Sequence, residues 1–452
     1  MKICLVTLAW LASAVAVFGV PAFPGAEGFG AESQGGRGGR LIEVTNLNDT
    51  GPGSFRAAVE AEGPRTVVFR TGGTIELMSE VVVAHPFLTI AGQTAPDGGI
   101  TLKTHPSNHR SALTIAKTAH DVIIRCIRSR PGPHDGFPKL KSGRAADTSE
   151  VKDALQILGA KRVIVDHCSF SWATDEVLST YFDAQDVTIQ WCIISEALRK
   201  SRPDQELPGK GLLIGSKGGA RISVHHNLMV HNVGRNPLIK TAGIVDVVNN
   251  VVLAPAEVAM AIDDEHGHSP ANFVGNRVLL PNAENDPYGL IVMAGKSYAL
   301  FLKDNLTHRR DPSKAPVGVE DFVKPNNKGR EWIVARPHEA PPVATHSAGE
   351  VLDVLLHGVG CIVPARDAVD ERLIRDVQSA KSRIVDRPEE VGGWPELSPG
   401  TAPADTDHDG MPDDWETAHR LNPTDPSDGN GDSNDDGYTH LEEYLNSLIS
   451  AR

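Results

Sequence analysis

The chain has 452 residues and a net charge of −14, values that already exclude some classes of protein. At this length one large domain or two smaller ones are expected. The acidic charge is local, because residues 401–452 carry a net charge of −11 and leave only −3 for the rest. A nearly neutral body argues against general nucleic-acid binding, which needs extended basic surfaces.

The first residues predict export. Met1 and Lys2 precede an apolar run, ICLVTLAWLASAVAVFGV, which ends near small-residue cleavage signals, so residues 1–22 resemble a signal peptide. The alternative is an uncleaved membrane anchor, for which the run is barely long enough. We expect a secreted protein, extracellular or periplasmic, with no membrane span in its mature form. Cys168 and Cys192 hold the same place in consecutive repeats, which predicts either stacked thiols or a disulfide bridge.

Short β-branched runs recur along the chain and predict a solenoid. Aligning these runs places four apolar residues in one column: Val163, Val187, Ile222 and Val245. A second column, with spacings of 23, 26 and 29 residues, contains Asn227, Asn250, Asn276 and Asn305. Drifting periods in the low twenties, with no helical pattern between strands, are typical of a β-solenoid. We therefore predict an all-β fold, a right-handed parallel β-helix.

The distribution of strand-like, helical and acidic stretches predicts how the chain is organised. Residues 23–325 form the β-helix, whose open end is capped by a helix within SFRAAVE, residues 54–60. Residues 326–404 form an arm packed on the solenoid, with a short helix in DERLIRDVQSA. Residues 405–452 form a small Asp-rich calcium-loop module.

Two phrases in this last segment match the spacing of EF-hand or dockerin-like calcium loops. The first, DTDHDGMPDDWE, offers Asp405, Asp407, Asp409, Asp413 and Glu416. The second, DSNDDGYTHLEE, offers Asp432, Asn434, Asp436 and Glu443. Alternating oxygen ligands around a central glycine let a tight loop wrap a hard cation. The alternative for both phrases is a solvated acidic tail.

Charged residues recur at a fixed distance from the strands of three successive repeats. Counting ten residues from equivalent positions reaches Glu176, Lys200 and Arg235, with Asp175 beside Glu176. Because stacked coils lie about 4.8 Å apart, the carboxylates and Arg235 should be about 10 Å apart with the lysine between them. This gap fits a uronate whose carboxylate is bridged to the protein by calcium.

Such an arrangement suits β-elimination from a polyuronate. A divalent cation and a basic side chain would stabilise the enolate that forms when the C5 proton leaves. Arg235 is the expected base, although a free guanidinium has a pKa above 12. Neighbouring calcium and an enclosed site favour its neutral form, so an alkaline activity optimum is expected.

Four phrases resemble the pectate lyases of polysaccharide lyase family 1, in their secreted bacterial branch. They are GRGGRLIEVTNLNDTGPGSFRAAV, LTIAGQTAPDGGI, VIVDHCSFSWATDE and HHNLMVHNVGRNPLIK, and the resemblance spans about residues 23–310. It implies that Arg235, in an R-x-P motif, is the catalytic base and that Lys240 binds substrate. It also implies a substrate-binding lysine ahead of a G-x-x-x-G stretch, for which PGKGLLIG offers Lys210.

The chain departs from the family pattern at two points. The family's second calcium carboxylate would fall at Ser179, so either Glu176 substitutes for it or calcium arrives mainly with substrate. Asp153 is either a further calcium neighbour or a hydrogen-bond acceptor at a strand end. The repeat register favours Lys200 for the middle position and the local motif favours Lys210, so both are kept. Lys240 stands where many members have arginine, which should weaken two-pronged carboxylate binding.

The predicted function is a monomeric, calcium-dependent lyase that cleaves polygalacturonate, an acidic plant-type polysaccharide. One alternative is a hydrolase on the same scaffold, which would need an acid–base carboxylate pair about 5–10 Å apart. Others are a lyase of another uronate polymer and a non-catalytic carbohydrate-binding β-helix of the cell surface. A zinc site at His225, His226 and His231 is disfavoured, since consecutive strand residues point to opposite faces.

Overall fold

The computed structural model describes residues 19–134, 152–199, 209–253, 259–281, 288–293, 297–309, 322–324 and 332–450. Most of the predicted signal peptide lies outside these ranges. The described residues form parallel strands in a 16-stranded and a 9-stranded sheet. Consecutive coils add one strand to each of three faces, which is the predicted right-handed parallel β-helix. Among the described helices, none has the length and apolarity that crossing a bilayer requires.

The larger sheet supplies two of the three faces. The first face consists of β1 (Arg40–Val44), β2 (Arg65–Phe69), β5 (Leu88–Ala91), β8 (His120–Arg125), β11 (Lys161–Asp166), β14 (Gln185–Gln190), β21 (Ser269–Val274) and β24 (Tyr298–Lys303). The second face consists of β4 (Val81–Val83), β7 (Leu113–Ile115), β10 (Leu155–Leu158), β13 (Glu176–Tyr181), β20 (Met260–Ile262) and β23 (Leu290–Val292). The two faces are joined by two long strands, β16 (Lys210–His225) and β18 (Leu238–Val248).

The third face is the smaller sheet. It consists of β3 (Gly73–Leu77), β6 (Ile100–Thr104), β9 (Arg128–Ser129), β12 (Ser169–Ser171), β15 (Ile193–Ser195), β17 (Leu228–Val230), β19 (Val251–Leu253), β22 (Arg277–Leu280) and β25 (Leu306–Arg309). Apolar side chains from all three faces fill the interior of the solenoid. Because the side chains of a strand alternate, each strand needs only a few β-branched residues to line this core.

The predicted apolar column is confirmed. Val163 pairs with Val187, Val187 with Ile222, and Ile222 with Val245, and all four side chains are fully buried. Pairing in parallel register keeps equivalent residues of successive coils on the same side of the sheet. The register inferred from the repeats is therefore the register of the fold on this face.

The asparagines form the predicted ladder at a corner of the solenoid. The amide nitrogen of Asn227 donates to Asn250, that of Asn250 donates to Asn276, and that of Asn276 donates to Asn305, at 2.9–3.1 Å. Each of these three amides also donates to a backbone carbonyl of the preceding coil. The ladder thus satisfies backbone groups that the turn would otherwise leave buried without partners.

Replacing Asn250 with alanine should lower the free energy of unfolding by about 1–3 kcal/mol, because buried partners above and below lose their hydrogen bonds. Denaturant titration followed by circular dichroism measures this change. Asn48, an exposed loop asparagine, is the matched control, and its alanine variant should change stability by less than about 0.5 kcal/mol. Equal effects at the two positions would contradict a structural role for the ladder.

The described residues contain five α-helices outside the coils: α1 (Phe55–Val59), α2 (Val351–Gly358), α3 (Ala368–Gln378), α4 (Asp413–His419) and α5 (His440–Ser450). Helix α1 is the predicted cap, and the Ser54 hydroxyl accepts a hydrogen bond from the amide of Ala57 at its start. Phe55 is buried and stacks on Phe69 of the first coil. Helix α3 is the helix predicted within the arm. The proposed boundaries at residues 325 and 404 stay a prediction.

The cysteines of the described residues are stacked thiols. Cys126, Cys168, Cys192 and Cys361 are free and fully buried. The Sγ atoms of Cys168 and Cys192 each donate to backbone carbonyls instead of forming the bridge that was the alternative. They act as small apolar residues of the core.

Candidate functional site

One position of the second face carries charged or polar residues in successive coils. Glu176 pairs with Lys210, and Lys210 pairs with Gly234, the residue before Arg235. Asp153 is in line with Glu176 one coil earlier, since Leu155 and Leu178, two residues further on, are partners. The chain thus stacks two carboxylates, a lysine and an arginine along the solenoid axis. The order of acid, lysine and arginine is the order expected from the sequence.

Asp153, Asp175 and Glu176 form the acidic end of this column. One carboxylate oxygen of each lies within 4.8 Å of the others. Burial, together with the charges of Glu176 and Asp175, raises the pKa of Asp153 well above its usual range. Burial and Asp175 raise the pKa of Glu176 to about 7, against the lowering effect of Arg235 and Lys210. Three carboxylates at this spacing repel one another, which suits a bound cation.

The Asp153 carboxylate is the hydrogen-bond acceptor that was one of its two expected roles, and its role beside calcium stays a prediction. Its Oδ2 atom accepts hydrogen bonds from Ser179 at 2.6 Å and from Gln156 at 3.2 Å. Its buried Oδ1 atom has no hydrogen-bond partner among the described residues. Ser179, which replaces the expected acid, therefore orients an acid from the previous coil. Oxygen ligands of this kind fit calcium, a hard cation that prefers carboxylates.

The basic side chains contact these acids directly. An Arg235 guanidinium nitrogen donates to Glu176, and the Lys210 ammonium donates to Asp175 at 3.2 Å. The expected gap of about 10 Å between acid and arginine is therefore wrong for the side chains, because the long Arg235 side chain reaches across the intervening coil. Lys200 lies outside the described residues, so only Lys210 is placed in the column.

Lys240 lies further along the coil that contains Arg235. It pairs with Gly215 in β16, and its ammonium group forms an ion pair with Glu265, an exposed residue of the next loop. The Lys240 side chain is 24% exposed, and Arg235 is 30% exposed. Both bases are thus partly accessible from solvent.

The C-terminal loops bring most of their predicted residues together. Asp405, Asp407 and Asp409 form one group of carboxylates within 4.8 Å, and Asp409, Glu416 and Asp428 form another. Asp428 was missed, because it lies outside the twelve-residue pattern of the first loop. Asp413 points elsewhere and accepts hydrogen bonds from the Thr406 backbone and hydroxyl.

The second loop is closed by hydrogen bonds between its own side chains. Asn434 donates to Asp436 at 3.2 Å and to Glu443 at 2.6 Å. Asp432 accepts from the backbone amides of Asp436 and Gly437. Its predicted ligands are therefore neighbours, and calcium binding at this loop stays a prediction.

His225 and His226 lie side by side, contrary to the expectation that consecutive strand residues point to opposite faces. The Nδ1 atoms of His225 and His226 lie 3.0 Å apart, although the residues are consecutive. His226 has a left-handed backbone, with φ of 54°, at the corner just before Asn227, and this reverses the alternation of an extended strand. His231 is elsewhere, bonded to Asp376. The three histidines do not converge, but the first two do.

Acidification should destabilise the protein through these two rings. Burial lowers the pKa of His225 to about 4, and burial with His225 and His346 lowers the pKa of His226 to about 3, both from 6.5. As the pH falls below about 6.5, these rings take up protons in the unfolded state but not in the folded state. Their contribution to the free energy of unfolding is therefore fully present above pH 6.5 and declines towards pH 4. The expected slope is about 1.4 kcal/mol per pH unit for each ring.

Thermal melts between pH 4 and 7 measure this dependence. His226→Asn keeps a residue that tolerates the left-handed corner and removes one titrating group, so its melting temperature should fall less steeply with acid. Asp166 and the Glu27 backbone, which favour the protonated form of His225, are unchanged in this variant. An unaltered slope would contradict the assignment.

The chain is similar to fungal proteins over nearly its whole length. It is 37% identical to the probable pectate lyase C of Neosartorya fischeri, over 98% of this chain and 97% of that protein. It is 36% identical to the probable pectate lyase C of Aspergillus fumigatus, with the same coverage. No family model matches the chain. These relatives are fungal, so the bacterial branch stays a prediction.

Solved structures share the β-helix. The crystal structure of the major allergen from cedar pollen superposes with a TM-score of 0.53 at 16% identity, over 74% of this chain and 92% of that chain. A thermostable pectate lyase gives a TM-score of 0.52 at 14% identity, over 75% of this chain and 97% of that chain. At such identities the likeness shows the fold alone. The identity to the fungal proteins goes further, and by it this chain belongs to the pectate lyase family.

Proposed function

We propose that this chain is a secreted lyase that cleaves polygalacturonate by calcium-assisted β-elimination, with Arg235 as the base. The observation that carries the proposal is the contact between the Arg235 guanidinium and Glu176, a member of a three-carboxylate cluster. A base and a cation-binding group thus share one exposed face of the solenoid. The fungal relatives, which are named as pectate lyases, support the choice of substrate.

The carboxylate cluster is the proposed cation site. Asp153, Asp175 and Glu176 would hold calcium, with Ser179 fixing the orientation of Asp153. Calcium bound there would bridge the protein to a uronate carboxylate and stabilise the charge that develops at the carbon beside it. Glu176 is buried, so it offers its charge in surroundings where water does little to screen it.

The basic groups bind and position the anionic chain. Lys210, one coil from Glu176, and Lys240, beyond Arg235, are proposed to pair with substrate carboxylates. In the structure their partners are Asp175 and Glu265, so substrate has to compete with these acids. Lys200, which lies outside the described residues, stays a candidate for the same role.

Arg235 is the group proposed to remove the C5 proton. A guanidinium in water keeps its proton to very high pH, so the reaction should accelerate as the medium becomes alkaline. The hydrolase alternative has less support, since it needs a separated acid–base pair, whereas these carboxylate oxygens lie within 4.8 Å of one another.

The direct test is to incubate the mature protein with polygalacturonate and calcium and to follow the ultraviolet absorbance of the unsaturated product. Absorbance that grows and then stops on adding a chelator supports the proposal. Alginate under the same conditions is the control polymer, and faster cleavage of alginate would point to another uronate. New reducing ends without absorbance would indicate hydrolysis, and retention on polymer with neither signal would indicate a binding module.

A further inference from the structure

Five carboxylates of the C-terminal segment form two overlapping clusters. Two groups of three, each with carboxylate oxygens within 4.8 Å, share Asp409 and together contain Asp405, Asp407, Asp409, Glu416 and Asp428. Four of these residues come from the first Asp-rich loop and the start of α4. The fifth, Asp428, comes from the turn that follows this helix. A residue from outside the loop therefore completes the second cluster.

Each carboxylate of these two clusters has at least one buried oxygen without a hydrogen bond from the described residues. Glu416 is fully buried, and both of its carboxylate oxygens lack a hydrogen bond from any described residue. Asp405, Asp407, Asp409 and Asp428 each leave one buried oxygen in the same state. The other oxygens of Asp405 and Asp409 accept hydrogen bonds from the backbone amides of Gly410 and Met411. Asp405 and Asp409 are thus held by the turn, while six oxygens of the two clusters have no hydrogen bond from the described residues.

Six unpaired carboxylate oxygens match the coordination preference of one cation. Calcium takes six to eight oxygen ligands, and a bidentate glutamate commonly closes its sites. Without a cation, buried carboxylates at this spacing repel one another and lose hydration, which strongly disfavours the folded arrangement. Asp413, by contrast, is bonded to Thr406 and offers nothing to this centre.

The same loop is attached to the first coils of the solenoid. Arg70, which follows β2, donates to Asp405 at 3.3 Å and to the Pro403 carbonyl at 2.7 Å. Met411, next to the loop glycine, is buried in an apolar cluster with Val68 and Ala91 of the first face. Residues of α5, Leu441, Tyr444 and Leu445, complete that cluster. Loop, helix and solenoid therefore share one interface.

We propose that Asp428 is the closing ligand of a calcium site in the first loop, and that this ion holds the C-terminal module against the first coils. The ion cancels the repulsion among the five carboxylates and so fixes the first loop. The fixed loop places Asp405 next to Arg70 and Met411 within its apolar cluster. The proposal rests on the calcium-loop prediction but not on the lyase activity. It makes calcium a stabilising ligand here, in addition to its proposed catalytic role.

The test uses the full chain with and without calcium. Asp428→Asn should lower calcium affinity at this site by at least about 10–100-fold, as loss of even an outer partner of a metal ligand does. It should also lose most of the rise in melting temperature that calcium gives the unaltered protein. Asp425→Asn, three residues earlier at an exposed position, is the matched control and should keep both. Glu416→Gln should behave like Asp428→Asn.

Hydrogen exchange at Val68, Ala91 and Met411 gives the second readout. Calcium should protect these amides in the unaltered protein and in the Asp425 variant, but much less in the Asp428 variant. A full thermal response to calcium in Asp428→Asn would overturn the ligand assignment. If Asp428→Asn lost calcium affinity as expected but calcium protected these amides as well as in the unaltered protein, the role of the ion in docking would be overturned. Neither readout needs substrate, so failure of the lyase assay would not be mistaken for failure here.

Discussion

Arg235→Ala should lower the rate of unsaturated-product formation from polygalacturonate by about 10²–10⁴-fold, the range that loss of a positioned general base produces. Arg235 lies one coil beyond Lys210, and its guanidinium contacts Glu176 of the carboxylate cluster. Its side chain is 30% exposed but that of its partner Glu176 is only 8% exposed, so loss of the ion pair should also cost stability, by less than the about 3–5 kcal/mol of a fully buried pair. A large loss of rate with at most a moderate fall in melting temperature is therefore expected.

Arg221 provides the matched control for this experiment. It is an exposed arginine near the opposite end of β16 and forms an ion pair with Asp186, away from the column. Arg221→Ala should retain the unaltered rate at every pH. Rates that fall equally in the two variants, or an Arg235 variant that keeps the rise of activity in alkali, would remove Arg235 from the role of base.

Arg130→Met should lower the free energy of unfolding by about 3–5 kcal/mol, the usual cost of breaking a buried ion pair on one side. Arg130 follows β9 and forms ion pairs with Asp367 and Asp370 at the start of α3. All three side chains are almost completely buried. Nearby acids raise the pKa of Arg130 despite its burial, so it stays charged. Its removal would leave the two buried carboxylates with Arg128 as their remaining ion-pair partner among the described residues.

The control for this effect lies on the same helix. Arg375 pairs with Glu371 one turn away, and both side chains are largely exposed. Because such a pair contributes little, Arg375→Met should change stability by less than about 1 kcal/mol. Chemical denaturation followed by tryptophan fluorescence compares the variants. A comparable loss in both would mean that the buried ion pairs do not hold the arm to the solenoid.

Several features of this fold were accessible from the sequence because they repeat. Equivalent residues of a parallel solenoid stack directly, so an alignment of phrases is also a map of contacts. This is why the Val163 column and the asparagine ladder are confirmed by the strand register and the hydrogen bonds. The helix beginning after Ser54 is equally local, since its cap and its apolar spacing lie within a few residues.

The candidate site was only partly accessible. The order of acid, lysine and arginine follows from the repeats, but loops of unequal length change the count between coils. Counting ten residues from the strand end reaches Lys200, whereas the strand pairing places Lys210 beside Glu176. The reach of the Arg235 side chain and the hydrogen bond from Ser179 to Asp153 depend on side-chain conformations that no spacing encodes.

The repeating β-helix and its capping helix could be predicted from the order of residues alone, because each is a pattern of near neighbours. Contacts between distant parts of the chain, by contrast, follow from how separate segments pack. Asp428 joins Glu416, Arg70 reaches Asp405, and the left-handed corner turns His226 towards His225. These contacts depend on backbone direction and on the packing of separate segments, and neither is written in the local order of residues.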